Sequence, residues 1–346
     1  MNFKNTYLNK LKNYFIIFFK SIIFLNWNME YFRSFYQTPP SLKINIKTSS
    51  HKPFKYPNYN KQLIEYPTFY PSDNIKGDFI IELNQNKFLE HEGIKVNLIG
   101  IIENIKNPST STKFYDEFLT ICSAEKINNE ITKFEFNFPP KEKPYESYFG
   151  SSVKVRYYIC VNVLSLPKNL CNQIEIAILN PLSRELFLKE ENSPLKIEIG
   201  VENLIHVIFE VNKTNYFLRD VVLGKVKFLE CNLDIKYMVI QIIRKENLNF
   251  LNTLSNETTL MSTFQLMDGT PDIGIEIPIR LYLSGIRNLT PSFINIDDKF
   301  SVQYFLSIEF EDKDERTFFK KVEIKLVRLN NMNRNEFIIT KKNKNK

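Results

Sequence analysis

The sequence predicts an all-β protein: two tandem antiparallel β-sandwich domains with one short helix. Three observations predict it. Apolar residues recur with period two in run after run, as in Val153, Val155, Tyr157, Ile159, Val161 and Val163, and again in Phe300, Val302, Tyr304, Leu306, Ile308 and Phe310. That spacing lines one face of a half-buried strand. The chain has 30 Phe and 17 Tyr against 9 Gly, which favours strands with aromatic faces over glycine-built phosphate loops. Its 346 residues can bury two cores, and a turn-rich stretch from Asn180 to Pro194 divides the strands into two series.

In chain order, Tyr14 to Leu25 (YFIIFFKSIIFL), with Lys4, Lys10 and Lys12 before it, has the charged start and apolar middle of a signal or anchor segment. Lys20 interrupts the run, no small-residue cleavage site follows, and it is short for a bilayer, which argues against a cleaved leader or a spanning anchor; residues 1–40 are set apart as an N-terminal extension. The N-terminal sandwich is expected over 41–192. Leu42, Ile44 and Ile46 alternate; Phe79 to Leu83 is mostly apolar; Ile94, Val96 and Leu98 alternate after a turn-like HEG. Between the first two, Pro67, Pro71, Ser72, Asp73 and Asn74 mark a loop. The short helix is expected between Thr110 and Cys122, capped by Thr110 or Ser111, with Phe114, Phe118 and Ile121 on one stripe. Phe134, Phe136 and Phe138 then run into Pro139 and Pro140, which end a strand.

The C-terminal sandwich is expected over 193–330, followed by a basic disordered tail over 331–346. Leu195, Ile197, Ile199 and Val201 open its first strand, and others follow at Ile205 to Val211, Val221 to Phe228 and Leu233 to Val239. NKTNYFLRDVVLG reads as a hairpin turning at Asn212 to Asn215, with Gly224 breaking the next strand. EDKDE separates the Phe300 to Phe310 strand from a last one ending near Arg328.

Composition excludes several functions. Net charge is +7, from 46 basic and 39 acidic residues, and much of the excess sits in the two ends, so no basic face for nucleic acid is expected. Cys122, Cys160, Cys171 and Cys231 lie far apart without a CxxC pair, which argues against disulfide frameworks and zinc ribbons and fits a reducing cytosol. His51, His91 and His206 are isolated, His206 on the strand face opposite Ile205, Val207, Phe209 and Val211. The sequons at Asn212, Asn256 and Asn288 would matter only in a secreted chain. No phosphate-loop, dinucleotide, zinc-protease, hydrolase or kinase motif is present, and EDKDE lacks the glycine and terminal Glu of a calcium loop. No catalytic residue, metal or cofactor is expected; function is expected to be binding by surfaces.

One stretch invites a partner. In FQLMDGTPDIGIEIPIRLYLSG (Phe264 to Gly285), Asp268 and Gly269 supply turn chemistry and Pro271 fixes φ just beyond, so Leu266 and Met267 are expected beside a bend and outside any ladder. Ile277, Ile279, Leu281 and Leu283 then share one strand face, with Pro278, Arg280, Tyr282 and Ser284 on the other.

LMDG followed by IPIRLYLSG, together with MEYFRSFYQTPPSLKINI, HEGIKVNLIGIIE, EKPYESYFGSSVKVRYY, LKIEIGVENLIHVIFEVNKTNYFLRDVVLGKVKFL and KFSVQYFLSIEFEDKDERTFFKK, resembles the small arrestin-fold subunit of retromer, the endosomal cargo-sorting complex. The similarity runs in the family's order over roughly Leu42 to Arg328, and because the block from Met29 is similar to the family's usual amino terminus, the resemblance implies that residues 1–28 are an extension or an upstream start. It implies two arrestin-like sandwiches packed end to end. The implied partner is the α-solenoid retromer subunit, bound through Leu266, Met267, Asp268 and Gly269, and through it the phosphoesterase-fold subunit. Sorting nexins and the cytosolic tails of transmembrane cargo are implied near the seam between the domains, where Phe319 matches an aromatic lining the cargo pocket and Phe318 sits beside it. The resemblance further implies a non-enzymatic, cytoplasmic protein, peripheral on endosome membranes through its partners and acting in retrograde transport to the Golgi or recycling.

The chain departs from the family at Leu266, where members carry Ile, and at Tyr70, Pro71, Ser72 and Asp73. There the family's acidic Tyr-Asp-Gly-Glu run, used for a second type of sorting nexin, is missing. Three alternatives compete with retromer proper: a free-standing arrestin-like adaptor, which predicts proline-tyrosine or clathrin-box tails where this chain ends in KKNKNK; a membrane-anchored protein using Tyr14 to Leu25, which predicts insertion into membranes in isolation; and a paralogous retromer-related trimer, against which the LMDG block argues.

Overall fold

Alternation of apolar and polar residues organises the chain throughout the structure, a computed structural model that describes residues 40–47, 51–57, 63–84, 87–165, 168–189, 192–251 and 253–330. The Tyr14 to Leu25 segment, the rest of the N-terminal extension and the tail from 331 lie outside the described residues. Among the described residues no helix is long and apolar enough to cross a membrane.

The first series of strands builds two facing sheets. One has the order β1 (Ser41–Ile46), β5 (Ile75–Glu82), β8 (Ile131–Phe138). The other runs β4 (Thr68–Phe69), β11 (Leu170–Ile178), β10 (Val153–Ser165), β6 (Leu89–Asn104), β7 (Thr112–Ile127), with β9 (Tyr148–Phe149) paired to β10. A separate hairpin joins β2 (Phe54–Pro57) and β3 (Leu63–Tyr66). The six alternating residues from Val153 to Val163 are all buried, while Lys154, Arg156 and Asn162 are half-exposed on the outer face.

The second series repeats the plan. A four-stranded sheet has the order β12 (Leu195–Val201), β13 (Ile205–Val211), β15 (Val221–Cys231), β18 (Glu276–Tyr282). It faces β14 (Asn215–Phe217), β21 (Thr317–Val327), β20 (Phe300–Asp312), β16 (Ile235–Phe250), β17 (Thr253–Asp268), with β19 (Phe293–Ile296) paired to β20. Pairing is antiparallel except at two short edges, β4 beside β11 and β14 beside β21. Pro278 sits on β18, an edge strand, where its missing N–H costs no ladder bond. The inner faces of all four sheets contribute to one continuous apolar cluster. Among the described residues the two series meet in register only at an isolated parallel bridge, Leu182 to Leu329.

Several expectations are corrected. The expected helix at Thr110 to Cys122 is strand β7, preceded by a 3-10 turn at Pro108–Thr110. The register of β7 against β6 skips Phe114 and Ile121, the extra residues of two bulges. They lie seven apart, which is also two helical turns, and that coincidence imitates a helical stripe. HEG is no turn: it lies inside β6, where the register against β10 slips. The α-helix among the described residues is instead α1 (Arg184–Lys189), within the stretch read as turns. The Ser183 hydroxyl accepts the Leu186 N–H at 3.3 Å as its cap, and Phe187 is buried against Phe217 at 4.1 Å between ring centroids.

The hairpin read from NKTNYFLRDVVLG closes through a wide loop and without the tight turn expected at Asn212 to Asn215. β13 pairs with β15, while β14 crosses to the other sheet and runs parallel to β21. Gly224 does not break its strand; it pairs with both Val211 and Ile279, and a Cβ there would collide with the Glu210 carbonyl. Glycine permits this close approach of β13 to β15.

The cysteines, far apart in sequence, are not all far apart in space. Cys160 and Cys171 bring their sulfurs to 3.3 Å on neighbouring strands, both as free thiols.

Candidate protein-interaction site

The Leu266 to Gly269 turn is built as the end of an edge strand. β17 runs to Asp268, so Met267 lies inside the ladder, opposite Met238, contrary to the expectation of a free bend. Leu266 is the residue skipped between the Gln265–Val239 and Met267–Met238 pairs, a bulge that re-aims its side chain. Leu266 and Met267 are both half-buried and pack on the protein's own core. Asp268 is exposed and accepts a hydrogen bond from the Gln265 amide. Gly269 has φ +75°, a conformation that favours glycine, and its N–H donates to the Lys236 carbonyl at 3.0 Å. The Thr270 hydroxyl accepts the Ile235 N–H at 2.8 Å. The turn is thereby pinned to the entrance of β16.

Strand register then brings together what the sequence leaves 51 residues apart. Met267 pairs with Met238, Met238 with Phe310, and Phe310 with Phe318, one row across β17, β16, β20 and β21. At about 4.8 Å per strand, the two ends of that row lie about 14 Å apart. Phe318 is half-buried and belongs to the core cluster, whereas Phe319 faces the other way, 60% exposed, with the Lys321 ammonium 5.2 Å from its ring centroid. Met238 and Phe310 complete the row unannounced: alternation in β16 and β20 shows which face they take, but not which residues they meet.

A charged rim surrounds this end. The Lys236 ammonium lies 2.7 Å from Glu311, and Tyr237 donates to the same carboxylate. These two hydrogen bonds, Lys236 first, hold the Glu311 carboxyl below the ordinary carboxylate range. Burial opposes ionisation of Asp312, but the Arg316 backbone N–H at 2.8 Å and guanidinium at 2.7 Å hold it low as well. Over Asp234, Lys236, Asp268 and Glu311 to Arg316, six acidic side chains face three basic ones.

The contact between the two sandwiches lies elsewhere. Glu246 on β16 is fully buried and accepts the Tyr148 hydroxyl at 2.6 Å and the N–H groups of Ser151 and Ser152 at 2.9 and 2.8 Å. Arg244 Nη2 approaches the same carboxylate at 3.4 Å, and Ser152 also donates to Glu257 at 3.0 Å. The EKPYESYFGSS block, singled out in the sequence without a role, is therefore one wall of the seam. Glu246 pairs with Val302, seven residues along β20 from Glu309, the partner of Phe319. At about 3.3 Å per residue that is about 23 Å. The expectation that Phe319 lies near the seam is thus corrected; it shares an end with the Met267 turn instead.

A second tie crosses the seam where Arg328 meets Glu146 at 2.8 Å. Burial pushes the Glu146 carboxyl above the ordinary range, and Arg328 offsets this only in part. A carboxyl raised on folding binds more protons folded than unfolded. Its contribution to stability therefore falls as pH rises from about 4.3 through the raised value. Thermal midpoints measured across that window should decline more steeply for the wild type than for Glu146→Gln.

The departure at Tyr70 to Asp73 forms a closed turn. The Asp73 carboxylate accepts the Tyr70 N–H at 2.6 Å and contacts His51 Nε2 at 2.8 Å, with the His51 and Tyr70 rings stacked at 3.7 Å. His51 is thus not isolated. His206 is half-exposed as expected, with Glu198 at 3.5 Å. Among the described residues no group of His, Cys, Asp or Glu could hold a metal ion.

Comparison with known proteins places the chain in a family. The model for vacuolar protein sorting-associated protein 26 matches residues 37–315, which include the Leu266 to Gly269 turn and stop just short of Phe318. Vacuolar protein sorting-associated protein 26 of Plasmodium falciparum is 37% identical over 292 residues, 83% of this chain and 95% of that protein. Vacuolar protein sorting-associated protein 26B of Arabidopsis thaliana is 36% identical over 299 residues, 84% and 95% of the two chains. The mouse (Mus musculus) 26B protein is 35% identical over 302 residues, 85% and 87%.

Proposed function

The chain belongs to the vacuolar protein sorting-associated protein 26 family, a family of protein-sorting subunits, and from that premise we propose that it is the arrestin-like, non-enzymatic subunit of retromer. In this reading the two domains are 41–192 and 193–330, the protein is cytoplasmic, and it sits peripherally on endosomes through its partners. Leu266, Met267, Asp268 and Gly269 bind the α-solenoid subunit, which carries the phosphoesterase-fold subunit. Sorting nexins and cargo tails engage the same assembly, with Phe319 as a contact. The observation that carries the reading is the Leu266–Met267 bulge at the end of β17: two half-buried apolar side chains at a sandwich end, backed by the fully buried Met238 and Phe310 and ringed by charge, the layout of an interface centre and rim.

The test is co-elution of the full chain with the α-solenoid subunit of the same organism on gel filtration. A stoichiometric complex is expected; separate peaks would move the function to a free-standing adaptor. The two neighbouring phenylalanines should part company. Phe319→Ser is expected to leave thermal stability within about 0.5 kcal/mol, as exposed substitutions do, while weakening capture of cargo-tail peptide by the assembled complex. Phe318→Ala is expected to cost about 2 kcal/mol or more of stability through lost packing. Thermal melts and peptide pull-downs on both variants check this.

A further inference from the structure

Cys160 on β10 and Cys171 on β11 stand on the outer face of their sheet as diagonal neighbours, since Cys160 pairs with Gln173 and Cys171 with Asn162. Their sulfurs are 3.3 Å apart. The two differ sharply in access: Cys160 is 8% exposed, and Cys171 is open to solvent. Cys122 and Cys231 lie on β7 and β15, each half-buried. Nothing in the proposed sorting role uses any of them.

We propose that Cys160 and Cys171 form a reversible dithiol–disulfide site that reacts with low-molecular-weight disulfides such as glutathione disulfide. The exposed Cys171, as thiolate, attacks one sulfur of the small disulfide, forming a mixed disulfide and releasing one small thiol. Cys160 then gives up its proton and attacks Cys171 Sγ, forming the Cys160–Cys171 bond and releasing the second small thiol. Two protein thiols are oxidised, one small disulfide is reduced to two thiols, and the two cysteine protons end on those thiols. Burial, and then the neighbouring Cys171 sulfur, push the Cys160 thiol up to about 11, so Cys171 is the one poised to react first and Cys160 the one to resolve. Proximity compensates for the low thiolate fraction of Cys160, because its attack is intramolecular. Exposure of Cys171 leaves the bond open to reduction, the mark of a labile disulfide.

The test uses the reduced full chain, incubated with glutathione disulfide and followed by intact mass and non-reducing peptide mapping. The wild type should lose two hydrogens, carry a Cys160–Cys171 crosslink and no lasting glutathione adduct, and revert with dithiothreitol. Cys160→Ser should trap one glutathione adduct on Cys171, and Cys171→Ser should slow all modification of Cys160 at least tenfold. A persistent Cys171 adduct in the wild type, modification of Cys122 or Cys231 as fast as Cys171, or no reaction under conditions that oxidise a free cysteine peptide would each overturn the proposal. The wild-type mapping decides even where a variant fails to fold.

Discussion

Glu246→Ala is expected to destabilise the protein by about 3–5 kcal/mol, the range for breaking a buried charged network from one side. The side chain is fully buried and accepts three hydrogen bonds, all from the Tyr148 to Ser152 segment of the other sandwich. Its removal leaves the buried Ser152 N–H and Tyr148 hydroxyl without their acceptor and takes the nearby carboxylate from the buried Arg244 guanidinium. Glu246→Gln keeps the volume and one carbonyl acceptor and should cost less than half as much. Scanning calorimetry is the direct readout, with a drop of the order of 10 °C expected for the alanine variant at about 2–4 °C per kcal/mol. Because the network joins the two sandwiches, the variant should also separate their unfolding into two transitions. A change below about 1 kcal/mol would mean that the seam is held elsewhere.

The second large effect concerns the partner. Leu266→Asp combined with Met267→Asn should weaken binding of the α-solenoid subunit at least a hundredfold, since hot-spot residues contribute about 2 kcal/mol or more each and 1.4 kcal/mol is tenfold. Both side chains also pack on the protein's own core, so part of the effect will appear as lost stability. Ile277→Asn serves as the matched control: it is half-buried on the opposite four-stranded sheet and should lower stability without lowering affinity. The excess of acid on the rim predicts a basic partner face and an association rate that falls with added salt. Titration calorimetry of the three proteins, with thermal melts and stopped-flow association rates at two ionic strengths, checks all of this.

The strands were legible because their faces differ in chemistry. Val153 to Val163 and Phe300 to Phe310 announce a buried and a wet side without any knowledge of their neighbours. Register was not legible, because pairing depends on backbone bonds that no single strand encodes. That is why Met238 and Phe310 went unmarked between Met267 and Phe318, and why Cys160 and Cys171 looked unrelated. Bulges were hidden for the same reason: Phe114 and Ile121 each drop out of the β6–β7 pairing, and their spacing passed for a helix. The turn at Leu266 to Gly269 was visible in its Asp-Gly chemistry, yet its continuity with β17 was not. Glu246 carried no signal alone, since a buried acid in a strand is recognised only by the N–H groups that reach it from another domain.

In the proposed complex the partner seats on the end of the C-terminal six-stranded sheet where this row lies. Hydrogen–deuterium exchange of the chain with and without the α-solenoid subunit tests it most directly. Protection is expected over Gln265 to Thr270, the start of β16 at Ile235 to Met238, and the β20–β21 hairpin from Phe310 to Phe319, with the strands of the N-terminal sandwich unchanged. A complex that forms but protects the N-terminal sheets, leaving those three segments exchanging as in the free chain, would contradict it.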